Sequence, residues 1–147
     1  MHQSPSPQSS LILVINDCAG RRALLLTEQR YTLGRAADCS IRLFDRHASR
    51  QHARLYRVGI SGLAQQYLAL DGFSASQPSH NGLKLNGQLT RSRLLKIGDV
   101  LHFSPQATAL LLSTEDVTPD ELDKWMAAFA AIQSVDRKND TAMAHLP

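Results

Sequence analysis

A length of 147 residues fits one domain with at most one appended element. Hydrophobic residues make up 43% of the chain and aromatic residues only 5%, which predicts a core built mainly of aliphatic side chains. No apolar run approaches the ~20 residues that a membrane helix needs, the first residues do not fit a secretory signal, and the net charge of +3 is small. A cytoplasmic protein that does not bind membranes is therefore expected.

Residues 1–9 are rich in Ser, Pro and Gln, which predicts a disordered N-terminus. From residue 10 to 113, short apolar or alternating runs follow one another, separated by glycines and other turn residues. The runs are Leu11–Ile15, Ala23–Thr27, Arg30–Leu33, Ser40–Leu43, His52–Val58, Tyr67–Leu70, Leu83–Leu85, Val100–Phe103 and Thr108–Leu112. Many short strands without alternating helices predict an all-β fold, an antiparallel sandwich or barrel.

The end of the chain has a different pattern. Thr118 is a helix N-cap, Pro119 suits the first helical position and Glu121 completes a capping box, so a C-terminal helix is predicted over residues 118–134. Residues 135–147 are expected to form a frayed tail. Leu122, Trp125, Met126 and Phe129 recur at helical spacing as one apolar stripe. The stripe fits a helix that folds back on the sandwich, or one that docks to a partner or to a second copy.

Cysteine and histidine usage argues against a metal or cofactor site. Cys18 and Cys39 match no metal or redox spacing, and both are expected to be buried or half-buried. The six histidines lack the i, i+4 pairing of a helical metal site.

No pair of acidic residues stands out at a predicted cleft, and Gly59–Gly62 falls short of a nucleophile elbow. An enzyme is therefore not expected.

Positive charge is concentrated in one part of the chain. Between Arg21 and Arg57, nine arginines stand against three acidic residues. Guanidinium groups make planar, paired hydrogen bonds to phosphate or carboxylate, so this window favours an anionic partner. Nucleic acid ranks low as that partner, because no aromatic stacking platform or groove-entering helix is evident. Six arginines to which no ligand role is given are expected to be solvated: Arg21, Arg22, Arg54, Arg57, Arg91 and Arg93.

Four short signals fall in order at predicted turns or strand ends: Gly34-Arg35, Ser49–His52, Ser79–Gly82 and Asn86-Gly87. Arg35 and Arg50 supply cations, Ser49 supplies a hydroxyl, and Asn81 supplies an amide that both donates and accepts. A phosphorylated side chain carries about −1.5 to −2 charges and three acceptor oxygens, which this set of donors suits. Asn86-Gly87 is typical of a two-residue hairpin turn.

These blocks resemble the forkhead-associated (FHA) domain. The resemblance covers residues 10–113 and is carried by Tyr31–Arg35, Ser40–Leu43, Ser49–Leu55, Asn81–Gly87 and Leu95–Phe103. It implies a β-sandwich of two antiparallel sheets whose loops at one end bind phosphothreonine peptides. The expected partner is a phosphothreonine-containing protein, the substrate of a Ser/Thr kinase. The sequence does not indicate an oligomeric state.

The resemblance also implies a role for each motif residue. Arg35 would pair with the phosphate, Ser49 would donate a hydrogen bond to it, and Arg50 would add charge or a backbone contact. Asn81 would hold the ligand's main chain beyond the phosphothreonine. His52 would be architectural, bracing the loop of Ser49. Gly34 and Gly82 would permit the tight loop geometry.

Two positions depart from the family's pattern. His80 stands where a Thr or Ser commonly donates to the phosphate, a role that a protonated imidazole can also take. Leu83 stands where Thr is common. These departures leave a second hypothesis open: an FHA-like scaffold that ignores phosphate and acts through its outer sheet or its C-terminal helix.

Overall fold

The computed structural model describes residues 10–59 and 66–144, with side chains as far as Gln133. The predicted disordered segment, residues 1–9, and residues 145–147 of the predicted tail lie outside the described residues. The described strands are β1 (Leu11–Asp17), β2 (Gly20–Leu25), β3 (Arg30–Gly34), β4 (Ile41–Arg42), β5 (Ala53–Val58), β6 (Gln66–Asp71), β7 (Leu83–Leu85), β8 (Gln88–Thr90), β9 (Ser92–Leu94), β10 (Val100–Ser104) and β11 (Ala107–Ser113). A 3₁₀ turn (Thr114–Asp116) leads into the helix α1 (Pro119–Ala144).

The strands form the two-sheet sandwich that the resemblance implies. One sheet has six strands in the order β2-β1-β11-β10-β7-β8, and the other has five in the order β4-β3-β5-β6-β9. Neighbouring strands are antiparallel except β3 and β4, which pair in parallel with Leu33 opposite Ile41. The sheets are therefore not purely antiparallel, because the chain crosses over between β3 and β4 instead of turning back in a hairpin.

The core lies between the sheets and follows from the alternation of the strands. Leu13, Leu33, Leu55, Leu101 and Phe103 are each exposed by 2% or less. Successive strand residues point to opposite faces, so each alternating run sends one set of side chains into this core. Full burial of one such side chain stabilises the fold by about 1.5–3 kcal/mol.

The hairpin between β7 and β8 has the turn that the sequence predicts. Asn86 and Gly87 have φ angles of 51° and 89°, and Leu85 pairs with Gln88 across the turn. Two positive φ values are the signature of a type I′ turn, which matches the twist of the flanking strands. Strands β8 and β9 themselves were not predicted, since each is three residues long and largely exposed.

The C-terminal helix begins where predicted and ends later. The Glu121 amide donates to Thr118 Oγ1 at 3.2 Å, which caps the first turn. The predicted end near Ser134 is wrong, as is the frayed tail over residues 135–144, because the helix continues to Ala144. The extension contains neither Gly nor Pro, so no residue in it breaks a helix.

The apolar stripe of α1 packs on the chain's own sandwich. Leu122 and Trp125 join a cluster that contains Ile12 and Val14 of β1, and Phe129 contacts the main core. This packing covers β2, an edge strand of the six-stranded sheet, and so supports the fold-back interpretation of the stripe.

Within the described ranges, no helix is both long and apolar enough to cross a membrane.

Candidate functional site

Three loops that carry the sequence-predicted site residues meet at one end of the sandwich. Arg35 follows β3, Ser49 lies between β4 and β5, and His80 and Asn81 precede β7. The Arg35 amide donates to the Ser49 carbonyl at 2.9 Å, and the His80 amide donates to Ser49 Oγ at 2.7 Å. Asn81 Nδ2 donates to the His47 carbonyl at 3.3 Å. The structure thus brings all four of these residues together.

Arg35 is exposed, but the Nε atom of its guanidinium group is hydrogen-bonded to a neighbouring loop. Its Nε donates to the Ala48 carbonyl at 3.1 Å, while the residue as a whole is exposed. The two terminal nitrogens have no partner among the described residues. Since Nε is fixed by the neighbouring loop, the guanidinium presents its remaining donors from a restrained position.

Gly34 allows the loops of Arg35 and Ser49 to approach each other. A Cβ atom at Gly34 would overlap the Arg50 carbonyl oxygen and lie 2.7 Å from its carbon. That same carbonyl accepts hydrogen bonds from the Ala36 amide at 3.0 Å and from Cys39 Sγ at 3.2 Å. Only a residue without a side chain fits at this contact.

Ser49 is half-buried and has one defined partner for its hydroxyl. Because Oγ accepts from the His80 amide, its own hydrogen is left to donate elsewhere. Arg50, the next residue, is exposed. A hydroxyl donor and two guanidinium groups therefore belong to one end of the molecule, an arrangement that suits a doubly charged oxyanion.

His52 braces this arrangement from below. Its ring is fully buried against Phe103, with the planes at 87° and the centroids 5.2 Å apart. The Ser49 amide donates to Nδ1 at 3.0 Å, so the ring proton sits on Nε2, which donates to the Gly82 carbonyl at 2.8 Å. Neutral His52 thus ties the Ser49 loop to the segment that follows Asn81. Burial lowers the pKa of His52, with smaller opposing effects from the Gly82 carbonyl and the Asp71 carboxylate.

This depressed pKa predicts a pH-dependent stability. In the unfolded chain a histidine binds a proton near pH 6.5, whereas folded His52 stays neutral to a lower pH. The free energy of unfolding should therefore fall as the pH drops below about 6.5, by at most about 1.4 kcal/mol per pH unit, until the folded pKa is reached. Urea unfolding at a series of pH values measures this slope. In His52→Gln the slope between pH 7 and 5 should be shallower than in the wild type; equal slopes would contradict the assignment.

The remaining predicted positions have distinct environments. His80 is exposed, and its backbone rather than its ring makes the contact with Ser49. Gly82 adopts a φ of 85°, a conformation that other residues seldom reach. Leu83 is fully buried in the main core. Its departure from the family's pattern therefore changes the packing of the core and not the exposed surface of the site.

The long loop between β6 and β7 is supported by Asp71 and Arg54, to which the sequence gave no role at the site. Asp71 accepts hydrogen bonds from the Ser79 amide at 3.2 Å and from the Ser79 hydroxyl. Arg54 is half-buried instead of solvated, and its Nε donates to the Gly72 carbonyl at 2.9 Å. The Gly72 amide in turn donates to the His52 carbonyl at 2.7 Å. These contacts hold the segment that leads to His80 and Asn81.

A buried ion pair anchors the loop of Ser49 from the other side. Arg22 was expected to be solvated, yet it is 1% exposed and bonds both carboxylate oxygens of Asp17 at 2.8 and 2.9 Å. Arg22 also donates to the Arg42 carbonyl at 2.8 Å, and Asp17 accepts from the Phe44 amide at 2.8 Å. The hairpin of β1 and β2 is thereby tied to the start of the loop between β4 and β5. The sequence does not show that Arg22 is buried and paired, because only the tertiary fold places it beside Asp17.

The two cysteines differ from each other. Cys39 is buried as expected, and burial raises the pKa of its thiol. The same expectation for Cys18 is wrong, since Cys18 is exposed at the tip of the hairpin between β1 and β2. The short turn at that tip leaves its side chain without cover.

Two grooves lie at this end of the sandwich. The arginine groove, of about 610 Å³, is lined by Arg35, Arg42 and Arg46 among others. The lysine groove, of about 470 Å³, is lined by Asn81, Lys84 and His102 among others. His47, Ser104 and Pro105 border both grooves. The two grooves are therefore neighbours, one on the side of Arg35 and the other on the side of Asn81.

Comparison with known proteins agrees with this geometry. The family model described as FHA domain matches residues 31–104, which is 74 of the 147 residues and includes the loops that carry Arg35, Ser49 and Asn81. The chain belongs to the FHA domain family. No curated protein matches it significantly.

Several solved structures are similar to this FHA domain, and each match covers nearly the whole of the other chain. The Slr1951 protein from Synechocystis sp. is 37% identical, with a TM-score of 0.67, and the match covers 69% of this chain and 96% of that one. An FHA domain from a structural and functional analysis of phosphothreonine-dependent FHA domain interactions is 25% identical, with a TM-score of 0.55 and coverages of 70% and 95%. The FhaA FHA domain, complexed with the intracellular domain of Rv3910, is 26% identical, with a TM-score of 0.54 and coverages of 69% and 99%.

Proposed function

We propose that this FHA domain binds a phosphothreonine-containing segment of a partner protein, a substrate of a Ser/Thr kinase, and so mediates a phosphorylation-dependent interaction. The observation that carries the proposal is the meeting of Ser49 and Arg35. The Ser49 hydroxyl keeps a free hydrogen because its oxygen accepts from His80, and Arg35 is backbone-bonded to Ser49 at 2.9 Å. A hydroxyl donor and a restrained guanidinium, on loops that this backbone hydrogen bond joins, match the acceptor oxygens of a phosphate.

The surroundings support the same ligand. Arg50 adds a second exposed cation, and Asn81 stands next to His80 with an amide able to bond an extended peptide main chain. Two similar structures support a protein ligand of this kind. One comes from an analysis of phosphothreonine-dependent FHA domain interactions, and the other is an FHA domain complexed with the intracellular domain of Rv3910. The whole arrangement holds a ligand by hydrogen bonds and charge, as a binding module does.

The test is the affinity of Arg35→Ala and Ser49→Ala for a phosphothreonine peptide library, measured by fluorescence anisotropy. Wild-type affinity is expected at about the micromolar level. Each substitution removes a hydrogen bond to a charged group, so each should weaken binding by roughly 10-fold to 100-fold. Arg30→Ala is the matched control, because Arg30 is also exposed on β3 but lies at the opposite end of that strand from Gly34.

Peptides with phosphoserine and with unmodified threonine complete the test. The proposal requires the phosphothreonine peptides to bind best and Arg30→Ala to behave as the wild type. If Arg35→Ala and Ser49→Ala both bound as tightly as the wild type, the proposal would be wrong. Partner capture that ignores phosphorylation would instead favour the scaffold hypothesis.

A further inference from the structure

The arginine groove carries more positive charge than a phosphate alone requires. Asp45 is its one acidic lining residue, and it is 6% exposed with Oδ1 occupied by the His47 amide at 2.7 Å. Arg42 bonds the Arg35 carbonyl through Nε at 3.0 Å and lies over the Phe44 ring at 5.1 Å. Three guanidinium groups therefore share this groove with a single carboxylate, and that carboxylate is already engaged by the loop.

Arg46 is one of the two exposed cations in this groove, together with Arg35. Its Nε contacts His47 Nε2 at 3.4 Å, the residue is exposed, and no carboxylate in the described part of the chain pairs with it. Arg46 shares the loop between β4 and β5 with Ser49, but within the described residues it makes no hydrogen bond to Arg35, Ser49 or Asn81. Arg46 therefore lines the groove with a charge that no carboxylate of the described residues neutralises.

The lysine groove has the same sign of charge. Lys84 is exposed on β7, directly opposite His102 of β10, and no acidic side chain lines this groove. Among residues 10–59 and 66–144, no carboxylate forms an ion pair with Lys84. A segment lying across both grooves would therefore meet unbalanced positive charge on each side of the phosphate-binding loops.

We infer that the bound segment carries acidic side chains on both sides of its phosphothreonine, one flank facing Arg46 and the other facing Lys84. The inference rests on the proposed function, because the phosphothreonine places the segment. Charges of one sign along a groove attract a ligand of the opposite sign and repel a ligand of the same sign. Acidic flanks therefore raise affinity, and basic flanks lower it.

Three peptides with the same central phosphothreonine test this inference. One has three glutamates before the phosphothreonine, one has three after it, and one has glutamines in both places. Each glutamate peptide should bind the wild type about fivefold more tightly than the glutamine peptide, which is the scale of one exposed charge pair. The gain should shrink as salt is added.

The variants Arg46→Ala and Lys84→Ala assign the two flanks. Arg46→Ala should remove the gain of one glutamate peptide and leave the other, while Lys84→Ala should show the opposite preference. Both variants should bind the glutamine peptide within about twofold of the wild type, since neither Arg46 nor Lys84 is proposed to bond the phosphate. Arg30→Ala, which removes an equal charge at the far end of β3, should change none of the three affinities.

The outcomes separate this inference from the proposed function. If the glutamine peptide bound as tightly as the glutamate peptides, or if Arg46→Ala weakened all three equally, acidic-flank recognition would be wrong while phosphothreonine binding stood. If the wild type bound no phosphothreonine peptide, the proposed function would fail and this inference with it.

Discussion

Replacing Asp17 by alanine should lower the free energy of unfolding by about 3–5 kcal/mol. The substitution leaves Arg22, which is 1% exposed, as a buried charge without its counter-ion. It also removes the acceptor of the Ala19 and Phe44 amides, bonded at 2.9 and 2.8 Å. The unpaired buried charge and the unpaired, partly buried Phe44 amide are both costly, whereas the exposed Ala19 amide can bond water instead. Urea unfolding monitored by circular dichroism measures the loss of stability.

The adjacent residue provides a matched control. Asn16 accepts a hydrogen bond from Arg21 at 2.9 Å in the same hairpin, but this pair is exposed. Asn16→Ala should therefore cost no more than about 1 kcal/mol. The double variant Asp17→Leu/Arg22→Met removes both charges and should lose less stability than Asp17→Ala. If Asp17→Ala were as stable as Asn16→Ala, the buried pair would not anchor the loop as described.

Replacing Gly34 by alanine should lower the unfolding free energy by about 3 kcal/mol and weaken phosphopeptide binding at least about tenfold. The new Cβ would lie 2.7 Å from the Arg50 carbonyl carbon, so the backbone of one loop has to move. That movement breaks the hydrogen bond between the Ala36 amide and the Arg50 carbonyl. It also shifts Ser49 relative to Arg35, whose backbones are joined by a hydrogen bond at 2.9 Å.

Gly59→Ala separates this steric effect from the general effect of replacing a glycine. Among the described residues, no atom lies within 4 Å of a Cβ built at Gly59. The control should change stability by no more than about 0.5 kcal/mol and leave peptide affinity unchanged. A Gly34→Ala protein with wild-type stability and wild-type affinity would show that the close approach of the two loops is unimportant.

Local chemistry is what made much of the fold predictable from sequence. Nine of the strands coincide with apolar runs, because period-2 alternation reports directly which face of a strand is buried. The turn at Asn86-Gly87 and the helix start at Thr118 followed from backbone preferences that act within a few residues. The motif residues Arg35, Ser49 and Asn81 were identifiable because the turn segments that carry them resemble the motifs of the FHA family.

Contacts between distant parts of the chain could not be predicted in this way. Nothing near Arg22 in sequence distinguishes it from Arg21, yet one is buried beside Asp17 and the other is exposed over the Trp125 ring at 5.4 Å. Strands β8 and β9 have exposed, irregular sequences and exist because their neighbours offer pairing partners. Propensity is a weak signal in such segments, and tertiary context overrides it.

The sequence by itself determined an all-β chain, a sandwich or a barrel, with a phosphate-suited set of turn residues, because strand alternation and turn chemistry are local properties; the FHA resemblance implied the sandwich. Only the tertiary structure decided that Arg35, Ser49 and Asn81 converge, which atoms neutral His52 joins, and that α1 covers β2. The physical reason is that convergence depends on hydrogen bonds such as His52 Nε2 to the Gly82 carbonyl, which joins residues 30 positions apart. Such bonds form only after the sheets have packed.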